Sequence, residues 1–167
     1  FRTNIDLVIE KQPGKAYVTM FTSFNPNAGK TFTIMNIAAS MSLKNSKVLL
    51  VDLDLRKASL SKALDKEHRG VAAYLNGKAD DYHNLIDKVQ DGLHILPVGK
   101  LPPNPTELLL TERFHKMMES LRGEYDYIFV DCPPIDIVAD ASIITKEVDM
   151  TIFVLRAGLL DKRAVPV

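Results

Sequence analysis

The strongest constraint on this chain is a pair of short apolar runs that each stop at an aspartate. Residues 47–52 read Lys-Val-Leu-Leu-Val-Asp, and residues 125–131 read Tyr-Asp-Tyr-Ile-Phe-Val-Asp. A strand with one wet face alternates apolar and polar residues along its length, and the apolar parts of these runs do not alternate. They are also short for a buried helix, so each predicts a strand covered on both faces. Segments 16–22, 93–98 and 150–155 read as three further strands. Between them lie helical patterns at 30–43, 71–76, 82–89 and 140–146, and a helix that begins at Pro105. For that last helix Asn104 is the expected cap, Pro105 suits the first helical position and Glu107 completes a capping box. Leu110, Phe114, Met117 and Leu121 then recur on one helical face. Strands alternating with helices make βαβ units. The expected fold is therefore α/β, a mostly parallel sheet flanked by helices on both faces. A chain of 167 residues is the right size for a single domain with its own core.

Composition removes several functional classes. The 21 basic and 21 acidic residues cancel, which leaves no electrostatic case for nucleic acid as the main partner. Cys132 is the only cysteine, so no internal disulfide can form, in keeping with a reducing compartment. No apolar run is long enough to span a bilayer and no signal-peptide pattern is present. His68, His83, His94 and His115 have no metal-ligand spacing, and each reads as a surface residue. The opening Phe1-Arg2-Thr3-Asn4-Ile5 reads like the inside of a helix, and the closing Ala164-Val165-Pro166-Val167 has no terminal cap. The chain is expected to be an excerpt of a longer protein.

Three segments carry the chemistry. The first, between the first strand and the first helix, is Thr22-Ser23-Phe24-Asn25-Pro26-Asn27-Ala28-Gly29-Lys30-Thr31-Phe32. A loop in that position can turn its backbone N–H groups toward a phosphate, and the following helix adds its positive end. Asn25, Pro26, Asn27, Ala28, Gly29, Lys30, Thr31 and Phe32 are the expected nucleotide-binding residues. Gly29 lets the backbone approach the phosphates, Lys30 reaches the β- and γ-phosphates, and Thr31 offers its hydroxyl to Mg²⁺. The second segment is Asp52-Leu53-Asp54-Leu55-Arg56-Lys57, two carboxylates at the carboxyl end of a buried strand. Ligands of open α/β sheets gather at that edge. If the strand continues, Asp52 and Asp54 point the same way. Paired carboxylates there can hold a hydrated Mg²⁺ or take a proton from an attacking hydroxyl. The third is Ile128-Phe129-Val130-Asp131-Cys132-Pro133-Pro134, an apolar strand ending in a carboxylate that holds a metal or its waters. Alone, each segment also admits a structural reading, as a glycine turn with Thr31 as a cap or as a strand-ending aspartate. All three occur in the expected order, each at a strand end. The expected ligands are ATP or ADP with Mg²⁺, and the expected chemistry is phosphoryl transfer.

On these motifs the chain resembles the cytoplasmic kinase domain of the bacterial tyrosine kinases, the BY-kinases of the Wzc type, which act with capsule and exopolysaccharide export. Residues 26–32 look like the family's Walker A motif, 52–57 like its Walker A′ and 131–134 like its Walker B. Leu101-Pro102-Pro103-Asn104-Pro105-Thr106-Glu107-Leu108-Leu109 is similar to a further family stretch and is more diagnostic than any short nucleotide motif. Residues 2–5 resemble the end of an N-terminal helix used in ring assembly. The resemblance implies the P-loop fold shared with MinD and ParA, and an ATP-dependent autokinase. Its acceptor would be a tyrosine cluster near the C-terminus of a neighbouring subunit in a homo-oligomeric ring. It implies Lys30, Asp52 and Asp54 as catalytic residues, with Asp52 nearest the base role. Thr31, Asp52, Asp54 and Asp131 are the implied metal residues. The implied setting is the cytoplasmic side of an inner-membrane protein, with that protein's membrane-anchoring region and a cognate tyrosine phosphatase as partners.

The chain departs from the pattern in two ways. Phe24 stands where Walker A places a glycine. Tyr17, Tyr74, Tyr82, Tyr125 and Tyr127 are scattered rather than clustered, with Tyr125 and Tyr127 read as packing residues. A ParA/MinD-type switch ATPase shares the fold and all three acidic positions. Its loop carries a signature lysine where this chain has Asn25. A binding module with a degenerate site is a further alternative, for which Phe24 is the sequence hint.

Overall fold

The computed structural model describes residues 14–135 and 138–158. Residues 1–5 and 164–167, read above as a helix interior and an uncapped end, lie outside the described residues. In chain order the elements are β1 (Tyr17–Thr22), α1 (Lys30–Ser42), β2 (Val48–Asp52), α2 (Ser59–Ala63), α3 (Val71–Leu75), β3 (Asp87–Gln90), β4 (Leu93–Leu96), α4 (Pro105–Leu109), α5 (Glu112–Arg122), β5 (Tyr127–Asp131), α6 (Val138–Ile144) and β6 (Met150–Phe153). Single 3₁₀ turns sit at His83–Leu85 and Thr145–Glu147. The strands form one sheet in the order β3-β4-β2-β5-β1-β6. All neighbours are parallel except β3, which runs antiparallel to β4 at one edge.

The unbroken apolar runs are explained by cover on both faces. Leu49, Val51, Ile128 and Val130 pack on one side, against Phe114, Met117, Met118 and Leu121 of α5. Their strand neighbours Val48, Leu50, Tyr127 and Phe129 pack on the other, against Ile34, Ala38 and Met41 of α1. Every residue of β2 and β5 is buried. The side-chain alternation of a strand thus feeds two cores instead of one core and water.

Four expectations are corrected. The segment 82–89, read as a helix, is a 3₁₀ turn followed by β3. Asp91-Gly92 is a two-residue hairpin loop, Gly92 has φ 74°, and Gln90 pairs with Leu93 across it. An Asp-Gly pair is a strong hairpin signal, and β3's alternating burial fits a half-exposed edge strand. The helix after Pro105 is two helices. Thr111 starts the second, its Oγ1 accepting from Phe114 N at 3.4 Å and donating to Leu108 O at 2.7 Å. That break rotates Leu110 off the buried face and leaves it 66% exposed. Asn104 does not cap the backbone. Its Nδ2 donates to Glu107 Oε2 at 2.8 Å, so the box closes between side chains. His94 is not a surface residue. It lies half-buried on β4 with its ring edge-on to Tyr125, and burial pulls its pKa down.

Candidate nucleotide and metal site

The site forms where β1, β2 and β5 end side by side. Register pairs Asp52 with Asp131, and Asp131 with Phe21. Asp52 follows Leu50 by two residues and Asp131 follows Phe129 by two. Both carboxylates therefore fall on the α1 face of the sheet. The loops leaving these strands are tied together. Thr22 Oγ1 donates to Pro133 O at 2.9 Å, Ile135 N donates to Ser23 O at 2.9 Å, and Leu53 N donates to Asp131 O at 2.9 Å.

The loop from Ser23 to Gly29 turns back on itself. Ser23 Oγ donates to Asn25 O at 2.8 Å. Asn27 has φ 60° and Gly29 has φ 97°, both left-handed. Glycine is the residue that takes that conformation without strain. A Cβ on Gly29 would meet nothing within 4 Å, so the space beside this backbone is open. Lys30 is the first residue of α1 and Thr31 the second, which places Thr31 inside the helix. Phe32 is 75% exposed on the outer side of that turn.

The electrostatics centre on three buried aspartates, and they are partnered unequally. Asp52 Oδ2 accepts from Ser61 N at 2.8 Å and Ser61 Oγ at 2.7 Å, while Oδ1 accepts from Asp54 N at 3.1 Å. Three of its roughly four lone-pair directions are taken. The strand stops at Asp52 and does not carry on through Asp54. Instead Asp54 closes a turn, its Oδ1 accepting from Lys57 N at 3.1 Å. Asp131 is fully buried, and among the described residues neither of its oxygens accepts a hydrogen bond. Lys30 Nζ lies 3.3 Å from Asp131 Oδ1, an ion pair without hydrogen-bond geometry. Burial raises the proton affinity of both Asp52 and Asp131. For Asp52 the neighbouring Asp131 adds to the rise and Ser61 opposes it, while for Asp131 the Lys30 ammonium opposes it and Asp54 adds.

A buried carboxylate with two idle oxygens is costly unless a cation or donor arrives. Among the described residues no group of three or more candidate ligands encloses an ion. Mg²⁺ is commonly held by one or two carboxylates together with phosphate oxygens and water. The donor set therefore fits a metal that comes with a nucleotide.

Two residues near this centre were missed in the sequence. Ser61 is fully buried; it holds Asp52 and also accepts from Val98 N at 3.0 Å. Ser61→Ala removes the two hydroxyl bonds, to Asp52 and from Val98 N, and leaves the bond from Ser61 N to Asp52. It is expected to cost about 2–3 kcal/mol, read as a lower midpoint in urea unfolding. A change below about 0.5 kcal/mol, the size of an ordinary surface substitution, would show that Ser61 does not fasten the loop. Asp140, on α6, accepts from Arg56 Nε at 2.9 Å and from Thr106 Oγ1 at 2.5 Å. This cluster joins the second acidic segment to the 101–109 stretch. Its members are 34 and 84 residues apart, and nothing in one sequence pairs residues at such separations.

The protein family described as an AAA domain matches residues 24–156. The tyrosine-protein kinase CpsD of Streptococcus pneumoniae is 41% identical over 165 residues, covering 98% of this chain and 71% of that protein. The chain belongs to the bacterial tyrosine-kinase family. Among solved structures, the kinase domain of the Escherichia coli tyrosine kinase ETK superposes on this bacterial tyrosine-kinase domain with a TM-score of 0.87. It is 31% identical, over 96% of this chain and 62% of that one. The septum site-determining protein MinD of Pyrococcus horikoshii, solved with Mg-ADP, gives a TM-score of 0.71 at 26% identity, over 83% of this chain and 57% of that one. The kinase domain thus shares the P-loop fold of MinD, and it spans 71% of CpsD but 20% of the full-length Escherichia coli tyrosine-protein kinase etk.

Proposed function

We propose that this bacterial tyrosine-kinase domain binds ATP with Mg²⁺ and transfers the γ-phosphoryl group to a tyrosine hydroxyl. The observation that carries this reading is the fully buried, hydrogen-bond-free Asp131 beside Lys30, at the mouth of a left-handed glycine loop. Residues 25–32 cradle the phosphates, and Lys30 leaves Asp131 to meet the β- and γ-phosphates. Thr31, Asp54 and Asp131 hold Mg²⁺ or its waters, with Asp52 alongside. When bound, the metal neutralises charge on the phosphates. Asp52 keeps one lone pair uncommitted, and burial brings its proton affinity toward neutrality. Both suit it to orient the acceptor hydroxyl and take its proton. The domain would occupy all of residues 1–167 as part of a longer protein. That protein would assemble as a homo-oligomeric ring at the cytoplasmic face of a membrane, with acceptor tyrosines in a C-terminal cluster of the neighbouring subunit. A polysaccharide-export role, the parent's membrane anchor and a cognate phosphatase belong to the same reading, which rests on the resemblance to the kinases named above. Among the described residues no helix is long and apolar enough to cross a membrane.

The test is phosphotransfer by the full-length protein with γ-labelled ATP and Mg²⁺. Label on tyrosine supports the kinase reading. ATP hydrolysis with no labelled tyrosine would replace it with a MinD-type switch.

A second expectation concerns pH. Asp52 and Asp131 both bind protons more tightly folded than their ordinary value of 3.8. At these two positions the fold binds more protons than the unfolded chain, so their contribution to stability falls as pH rises from about 4 toward neutrality, while His94, whose pKa burial lowers, works the other way. His83 and His115, whose carboxylate partners raise their pKa, move stability in the same direction as the two aspartates but lie apart from the phosphate loop. Adding Mg²⁺ and ADP is expected to hold the aspartates ionised and shrink the difference in thermal midpoint between pH 5 and pH 7.5. A difference unchanged by Mg²⁺ and ADP would mean that these carboxylates do not meet the metal.

A further inference from the structure

A second cavity, of about 360 Å³, opens beside α3 and the loop that follows β4. His68, Arg69, Lys78 and Lys100 line it, and among the described residues no carboxylate does. The segregation stands out in a chain whose charges cancel. Elsewhere on the surface Lys66, Lys88 and Lys116 each face a carboxylate, of Asp87, Asp91 and Glu112. Arg69, Lys78 and Lys100 have no ion pair or side-chain hydrogen bond among the described residues. Leu101, Pro102 and Pro103 add an apolar wall to the same cavity.

The floor is rigid. Val71 N donates to Pro97 O at 2.7 Å and Ala72 N to Val98 O at 3.1 Å. These bonds pin α3 across the loop where Gly70 and Gly99 touch backbone to backbone. The cations are therefore held around a fixed depression, which lowers the cost of ordering a ligand.

We infer that this cavity binds the phosphate monoester of a phosphotyrosine, with the ester oxygens among Arg69, Lys78 and Lys100 and the ring against Leu101 and Pro102. The inference rests on the kinase reading for the source of that group. The size favours one side chain over a nucleotide, being near the lower end for small-molecule pockets. Position gives the site a use. It lies beyond the carboxyl end of β4, the strand next to β2, which ends in Asp52. The phosphate loop follows β1, three strands from β4. α3 packs on the α5 face of the sheet and α1 on the other, so the cavity and the phosphate loop lie on either side of the same sheet end. A tyrosine already modified, held here, would tether its segment at the sheet end where the phosphate loop also opens.

The test is calorimetric titration of the dephosphorylated full-length protein with O-phospho-L-tyrosine. A non-hydrolysable ATP analogue and Mg²⁺ fill the phosphate loop throughout. Binding of phosphotyrosine but not tyrosine is expected, weakened about tenfold by Lys100→Glu and again by Arg69→Ala. Both side chains are exposed, and unchanged analogue affinity in each variant shows that the fold is intact. Inorganic phosphate binding as tightly as phosphotyrosine would reduce the cavity to a free-anion site and overturn the proposal. So would the absence of binding, or binding that neither variant weakens. None of these readouts depends on phosphoryl transfer, so a failed kinase assay and an empty cavity remain separate results.

Discussion

Lys30→Met is expected to lower phosphoryl transfer by about a thousandfold while the domain stays folded. The ammonium lies 3.3 Å from Asp131 Oδ1, on a side chain that is 10% exposed. It is a desolvated charge at the start of α1, where the helix's own positive end also points. A preorganised cation acting on developing phosphoryl charge in such a site contributes on the order of 10²–10³ or more to the rate. Methionine keeps an unbranched side chain out to Cε and removes the charged end. The fold survives because Asp131 has an alternative to its ion partner. Burial already raises its proton affinity, and without the ammonium it rises further, so the carboxyl becomes neutral. The check is the initial rate of labelled phosphotyrosine formation, with thermal unfolding of both proteins at pH 6 and pH 8. The variant should unfold at a lower temperature than the parent mainly at pH 8, where Asp131 must ionise alone. Transfer within tenfold of the parent would move the phosphates away from Lys30.

Gly70→Ala is expected to destabilise the domain by about 4 kcal/mol, beyond the usual cost of overpacking. The reason is not backbone strain, because φ at Gly70 is −175°, which any residue adopts. A Cβ there would lie 2.1 Å from Pro97 O, 2.3 Å from Val98 C and 2.4 Å from Gly99 N. All three atoms are backbone, so no rotamer change relieves the contact. The bonds from Val71 N and Ala72 N to this loop would have to open, and Val98 N also holds Ser61, the partner of Asp52. Damage at the crossing therefore reaches the acidic site. Gly77→Ala is the control. Its φ of 71° brings strain, but a Cβ there meets nothing within 4 Å, so about 1 kcal/mol is expected. Urea unfolding of the two variants decides the matter. A Gly70→Ala cost no larger than that of Gly77→Ala would mean that the two segments do not cross so closely.

The parts of the fold that could be read from sequence are those where one physical rule acts alone. Runs such as Val48–Val51 can satisfy only a doubly covered strand, and β2 and β5 are buried throughout. The edge was harder. Asp87–Gln90 lies beside polar residues that suit a surface helix equally well, and the Asp91-Gly92 turn was the signal that should have outweighed them. Leu110 fits the helical spacing, yet Thr111 resets the helix one residue later, because a threonine can cap wherever its hydroxyl finds a free N–H. At the site, order along the chain pointed to Lys30, Asp52, Asp54 and Asp131, and the structure brings all four to one sheet edge. The division of partners among the aspartates was not readable. It depends on Ser61, which reaches Asp52 only once α2 folds back beneath it.

The idle oxygens of Asp131 also bear on how long a molecule of this protein lasts in a cell. A ligand at a hundred times its dissociation constant adds about 2.7 kcal/mol to a fold that binds it only when native. Where opening and closing are faster than cleavage, degradation follows the population of the open form. The same 2.7 kcal/mol makes that population about a hundredfold smaller in nucleotide-loaded molecules. Under the proposed nucleotide binding, proteases would clear empty copies first, and the abundance of the protein would then track the supply of nucleotide without a dedicated regulator.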